Sequence, residues 1–249
     1  MEVSAAFPHF GEESVLTGQG GSGTIFFTGC SLGCVFCQNY DISHGGNGKT
    51  LTDAQLADAM MYLQAQGAHN INLVTPSHVV PQILSAVSIA ADKGLNIPLV
   101  YNSSAYENVE TLMLLEGVVD IYMPDFKIWN PKLAAKWLKT GDYPRQARAA
   151  ITEMFRQVGD LYVEKGIARH GLLVRHLIMP DNMEDSKQIF HFLTGLSPDT
   201  FVSIMDQYRP MGKAVNYPEI ARSTSRQEIQ EAFNMAKLAG LHRFNKPGL

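Results

Sequence analysis

The sequence predicts an α/β fold, an open partial β/α barrel of about six parallel strands in a single domain. Two observations carry this. Six short runs rich in β-branched and aromatic residues alternate along the chain with amphipathic helical patterns. A chain of 249 residues can bury one sizeable core, and β/α barrels of that size are often single domains. Right-handed crossovers between parallel strands then curl the sheet.

The elements follow in order. Residues 24–28 (Thr-Ile-Phe-Phe-Thr) read as the first strand. Thr52 with Gln55 forms a capping box for a helix over 52–66, whose apolar face is Leu56, Ala59, Met60 and Leu63. Residues 70–74 are the second strand. Val80, Ile83, Leu84, Val87 and Ala91 trace a second helix that Gly94 ends. A third strand over 97–101, a short helix over 109–116 and a fourth strand over 118–123 come next. Residues 131–165 read as mostly helical, broken near Gly141-Asp142-Tyr143-Pro144. A fifth strand spans 172–179, Asn182 caps a helix through 193, and a sixth strand spans 201–205. Ser225 with Glu228 caps the last helix, which buries Ile229, Ala232, Phe233 and Ala236 and stops at Gly240.

This divides the domain into a core over 24–208, a C-terminal helix and tail over 209–249, and an N-terminal extension over 1–23. Gly18, Gly20, Gly21 and Gly23 do not make a phosphate loop, because no Lys-Ser/Thr follows and a strand comes next instead of a helix. They read as an adaptable flap.

Composition narrows the function. A net charge of −4 gives no electrostatic case for binding nucleic acid. No apolar run reaches the ~20 residues that span a bilayer, so no membrane segment is expected. The first ten residues lack a cationic n-region and a long apolar stretch, unlike a signal peptide. A cytoplasmic protein is the expectation.

All three cysteines fall within eight residues, Cys30-Ser-Leu-Gly-Cys34-Val-Phe-Cys37. Three thiolates at this spacing can hold three irons of a [4Fe–4S] cube and leave the fourth open, whereas an ordinary electron-transfer cluster is closed by four. An odd cysteine count without a secretory signal disfavours a disulfide. Zinc is the competing reading, with His44 as fourth ligand, although zinc sites usually pair C-x2-C with a distant second pair. Because the cysteines follow the first strand, they lie at the C-terminal edge of the sheet, where β/α barrels place their active sites. Polar residues just past the other strands should face them: Thr75-Pro76-Ser77-His78, Asn102-Ser103-Ser104, Asp125-Phe126-Lys127, Arg175-His176 and Asp206-Gln207-Tyr208.

The cysteine spacing, with an aromatic residue before the last cysteine, resembles the radical S-adenosylmethionine (SAM) superfamily. The stretch from Gly21 through Cys30 to Tyr40 is similar to the branch around pyruvate formate-lyase activating enzyme. So are Asp125-Phe126-Lys127 and the strand Leu173-Val174-Arg175-His176-Leu177-Ile178-Met179-Pro180. More narrowly, the chain resembles a group of activating-enzyme-like Fe–S proteins with Thr-Pro-Ser/Thr-His after the second strand. Members of that group often carry a further cysteine-rich segment upstream, so a short or trimmed form is expected here.

The resemblance implies roles. Cys30, Cys34 and Cys37 would ligate the cluster, and Phe36 would pack near the adenine of SAM. Asn102 and Ser103, with the Met123 carbonyl and Asp125, stand where the family can hold a monovalent cation. Lys127 and Arg175 would neutralise the SAM carboxylate. The family's Gly-Gly-Glu, which receives the SAM amino group, is replaced by Thr75-Pro76-Ser77, leaving the Thr75 and Ser77 hydroxyls as acceptors. The implied activity is reductive cleavage of SAM to a 5′-deoxyadenosyl radical that abstracts a hydrogen atom, with flavodoxin or ferredoxin as electron donor. The acceptor is a glycyl radical enzyme, or else a small molecule or peptide. A non-catalytic zinc or Fe–S module is the further alternative.

Other residues have simpler readings. Arg175 lies in an apolar strand and needs a buried anionic partner, for which SAM is the natural choice. His176 faces the other way by strand alternation and reads as structural. His78 reads as a helix-start residue, Asp125 with Lys127 could be a surface ion pair, and Asp206 and Tyr208 either close the substrate side or cap the sheet.

Overall fold

The computed structural model describes residues 1–245; the end of the expected C-terminal tail, 246–249, lies outside the described residues. In chain order the elements are β1 (Glu2–His9), α1 (Ser14–Thr17), β2 (Ser22–Phe27), α2 (Tyr40–His44), β3 (Lys49–Thr50), α3 (Asp53–Ala65), β4 (Ile71–Val74), α4 (Val80–Asp92) and β5 (Leu99–Ser103). They continue as α5 (Val109–Met113), β6 (Ile121–Pro124), α6 (Pro131–Trp137), α7 (Tyr143–Val158), β7 (Tyr162–Glu164), β8 (Ile167–Leu177), α8 (Met183–Leu196), β9 (Phe201–Met205) and α9 (Arg226–Ala239).

Strands β2, β4, β5, β6, β8 and β9 are the six expected parallel strands, paired in that order. The sheet is extended on one side by β1, antiparallel to β2, and by the two-residue β3 beyond it. It does not close: the barrel is partial. Helix α3 starts at the Thr52–Gln55 capping box and α9 at the Ser225–Glu228 box, and Gly240 ends α9 in the left-handed conformation at φ 102°.

Two readings are corrected. Residues 159–165 are not helical: Gly159 ends α7 at φ 64°, and the chain forms β7, a hairpin partner of β8 around Lys165 and Gly166. That dipeptide turns with both φ positive, the geometry a tight hairpin needs. The 1–23 extension is not a free flap but carries a sheet strand and a short helix. Its glycines are there for close packing: a Cβ on Gly20 would collide with the Gly67 carbonyl oxygen, and one on Gly23 would lie 2.7 Å from the Asn70 carbonyl oxygen.

The segment between β1 and β2 runs inside the open barrel. Leu16 is fully buried there with Val100, Ile121, Met123 and Leu173, which by alternation share the inner faces of β5, β6 and β8. The outer faces carry Tyr101, Tyr122, Leu172 and Val174 under the helices. Each fully buried side chain of this size contributes about 1.5–3 kcal/mol.

Candidate active site

The C-terminal edge of the parallel strands opens into a cavity of about 410 Å³, within the range of small-molecule sites. Its wall brings together Cys30, Cys34, Cys37, Phe36, Thr75, Asn102, Ser103, Asp125, Lys127 and Arg175, from the ends of β2, β4, β5, β6 and β8. Ser77 is the expected residue that does not line it; its hydroxyl turns away to Glu107.

The cysteine loop is held on both sides. Gly33 N–H donates to Leu138 O and Val35 N–H to Trp137 O, tying the loop to the end of α6, while Lys213 N–H donates to Val35 O at 2.7 Å. Leu32, Val35 and Phe36 are buried and anchor it. Phe36 packs edge-on against Tyr208, whose hydroxyl donates to Ile220 O, so Tyr208 supports the loop from beneath. His78 does more than start a helix: its Nε2 is 2.8 Å from Thr28 O, which fixes the start of the loop.

All three thiols are free. Burial pushes the Cys34 thiol up to about 12 and raises Cys30, against the pull of Lys127. Leu32 N–H donates to Cys30 Sγ at 3.4 Å, a contact that favours the Cys30 thiolate, and Cys37 Sγ lies 3.3 Å from Ser43 Oγ. Among the described residues no three His, Cys, Asp or Glu side chains converge on a point that a single ion could occupy. His44 is not on the cavity wall; its ring stacks on Tyr40 and its Nδ1 bonds Ser43 Oγ. The donor set therefore fits a cluster spread over three thiols better than one zinc ion.

Opposite the cysteines lies a charge network. Arg175 Nε donates to Asp125 Oδ1 at 2.6 Å, Nη1 to Glu12 Oε1 at 2.8 Å and Nη2 to Asn102 Oδ1 at 2.9 Å. Lys127 Nζ donates to Asp125 Oδ2 at 2.6 Å. Burial disfavours the Asp125 carboxylate, but Arg175 and Lys127 outweigh it and hold the group at about 2. Tyr143 locks the strand ends: its hydroxyl reaches Ser104 O and Asp125 O and accepts from Lys127 N–H.

Two expectations change here. The anionic partners of Arg175 are Asp125 and Glu12 of this chain, and Glu12 comes from the N-terminal segment, which no local pattern had marked. The Asp125 and Asn102 side chains proposed for a monovalent cation are bonded to Arg175, Lys127 and Glu12, and Met123 is buried in the barrel interior. That leaves the cation without support. Asp125 with Lys127 is no surface pair, since their side chains are only 16% and 17% exposed.

His176 is structural: buried, its Nδ1 meets Phe126 O and its Nε2 Ser186 Oγ, and burial lowers it to about 4. Met205 and Gln207 line the cavity, and Asp206 does not. Thr75 sits at φ 59°, unusual for a β-branched residue, at the end of β4. Sequence reasoning missed Glu12, His9, Ser43 and the nearby Glu107.

Fold and site together define an α/β half-barrel that presents three free thiols beside a charged, nucleotide-sized cavity at its strand ends. The radical SAM superfamily profile matches residues 24–193, more than half of the chain. The chain belongs to the radical SAM superfamily. It is 33% identical over 242 residues to an uncharacterized protein of Methanocaldococcus jannaschii, covering 94% of this chain and 66% of that one. SuiB of Streptococcus suis, solved bound to S-adenosylmethionine, is similar with a TM-score of 0.62 at 9% identity, over 89% of this chain and 49% of SuiB. The FeFe-hydrogenase maturase HydG of Carboxydothermus hydrogenoformans is similar with a TM-score of 0.59 at 11% identity, over 88% of this chain and 52% of HydG. The chain thus spans about half the length of these solved structures and 66% of the archaeal relative. At such low identity the structural likeness shows the fold. Family membership implies a [4Fe–4S] cluster and SAM. Among the described residues no helix is long and apolar enough to cross a membrane.

Proposed function

We propose that this chain is a radical SAM enzyme whose Cys30, Cys34 and Cys37 hold a [4Fe–4S] cluster and whose cavity binds SAM for hydrogen-atom abstraction. The observation that carries the reading is the meeting of three free thiols with the Lys127–Asp125–Arg175 network on one cavity wall. When bound, the cluster and SAM would supply one-electron reductive cleavage of the sulfonium and the radical chemistry needed for hydrogen-atom abstraction.

The chain's own residues bind, orient and exclude. Lys127 uses one ammonium proton on Asp125 and keeps two donors for an anionic ligand group. Arg175 is braced by Glu12, Asp125 and Asn102, so it contributes a fixed positive charge with few donors to spare. Lys127 is therefore the principal partner of the SAM carboxylate, with Arg175 behind it. Phe36 lines the cavity but is only 4% exposed, so it offers a ligand little contact surface. The buried Leu32-Val35-Phe36 platform keeps water from beneath the cysteine loop.

The electron donor in this reading is flavodoxin or ferredoxin in a reducing cytoplasm. The hydrogen donor follows from resemblance alone: a glycyl radical enzyme, as for pyruvate formate-lyase activating enzyme, with a small molecule or peptide as the alternative. Anaerobic reconstitution with iron and sulfide, then dithionite and SAM, should yield 5′-deoxyadenosine. Cys34→Ala should abolish it together with about four irons per chain. Cleavage that survives Cys34→Ala rejects the assignment.

A further inference from the structure

The cysteine loop has a side that does not face the cavity. Gly33 and Val35 are off the cavity wall, and two lysines reach them from outside. A Cβ on Gly33 would lie 3.1 Å from Lys139 Cγ, so the Lys139 stem lies directly on the loop. Lys139 holds this place at φ 67°, a conformation uncommon for a residue with a side chain. Val35 O accepts from the backbone N–H of Lys213. Each ammonium sits near an aromatic ring: Lys139 Nζ is 5.1 Å from the centre of Tyr217, and Lys213 Nζ is 5.9 Å from that of Tyr40.

Charge and apolar surface combine here. Lys139, Lys213 and Arg209 are exposed, and among the described residues none of them enters an ion pair. Glu219 is matched by Lys136. Even with Asp41, beside Tyr40, and Asp206 counted against the three cations, the balance is positive, on a chain whose net charge is −4. An acidic protein is therefore repelled by the chain as a whole and drawn to this face. Between the cations Met211 and Val215 are 46% and 62% exposed, while Ala214 and Ile220 are buried and anchor the segment. Apolar contacts within a charged rim are the anatomy of a protein interface.

We propose that Lys139 and the segment 209–217 form the docking face for an acidic protein that carries a one-electron reductant. This rests on the reading that the cysteine loop holds a cluster and the cavity holds SAM. With the cavity side occupied, the Gly33–Val35 side is the direct approach to the cysteine sulfurs from outside. One electron passes: the docked donor is oxidised by one and the cluster is reduced by one, with no proton or group transferred. A small, charge-steered contact suits a donor that must leave after each transfer.

The test compares a protein donor with a small one. Binding of an acidic flavodoxin to anaerobically reconstituted protein is measured by titration calorimetry at low and high salt. SAM cleavage is then driven by reduced flavodoxin or by dithionite, which needs no docking. Wild-type affinity for flavodoxin should fall as salt rises. Lys139→Glu should weaken binding about 10-fold at low salt and flatten the salt dependence. Val215→Ser should weaken binding by less and keep the salt dependence. Both variants should retain wild-type iron content and dithionite-driven cleavage. Wild-type protein that does not bind flavodoxin, or variants that bind it unchanged, overturn the proposal. So does equal slowing with both reductants, which would mark a structural role in the loop. Self-association of the chain that Val215→Ser abolishes would make the face a dimer interface and overturn it too. Wild-type protein that fails to cleave SAM with dithionite rejects the parent reading instead.

Discussion

Arg175 and Glu12 are joined at 2.8 Å across 163 residues of sequence, with side chains only 14% and 12% exposed. The contact ties the N-terminal segment inside the barrel to the fifth parallel strand. Burial alone would lower the Arg175 pKa, but Asp125 and Glu12 reverse this and raise it, so the guanidinium stays charged.

Removing Glu12 should therefore be costly. Glu12→Ala leaves Arg175 with Asp125 as its directly bonded carboxylate and Asn102 as a neutral partner, and breaking a buried pair costs roughly 3–5 kcal/mol, with the lower end expected because Asp125 remains. Urea unfolding measures it. A midpoint unchanged from wild type would show that the segment adds nothing to stability.

Tyr143→Phe strips one hydroxyl from three backbone groups, Ser104 O, Asp125 O and Lys127 N–H. Leaving buried backbone groups unpaired should cost about 1–3 kcal/mol. SAM affinity should fall as well, because the same hydroxyl sets the strand end that carries Asp125 and Lys127. Stability lost with affinity intact would separate this clamp from the site.

His176 predicts a pH dependence of defined sign. Burial holds it at about 4 in the fold, against about 6.5 unfolded. Between those values the unfolded chain binds a proton that the native protein does not. Stability should fall by about 3 kcal/mol as pH drops from 6.5 to 4, then level off. His176→Gln should flatten that part of the curve, and a slope identical to wild type would exclude His176 as its source.

Gly20→Ala tests the packing of the N-terminal segment. The added methyl has to displace the Gly67 carbonyl, which is backbone. A loss of roughly 1–3 kcal/mol is expected from overpacking of this kind, read from thermal melting. A neutral substitution would restore the flap reading.

The six parallel strands and the helices between them were legible because their signals are local. Alternation, capping boxes at Thr52 and Ser225, and the stop at Gly240 each lie within a few residues of what they determine. The three cysteines announced themselves by spacing. Glu12 and Glu107 did not, because nothing near either residue distinguishes a buried carboxylate from a solvated one. Their meaning arises from partners on other strands. β7 was lost in a helical pattern that runs on past Gly159, and only the Lys165–Gly166 turn betrays it. The glycines of the 18–23 segment look permissive in sequence, where close approach of Gly67 and Asn70 cannot be read.

The Glu12–Arg175 junction also bears on the order of assembly. The cysteine loop precedes β8 in the chain, and the opposite wall stays incomplete until β8 has followed and met Glu12. A truncated chain ending before β8 would carry the three thiols without the finished chamber. Any group those thiols hold is thus sheltered only once the late strand has closed the opposite wall.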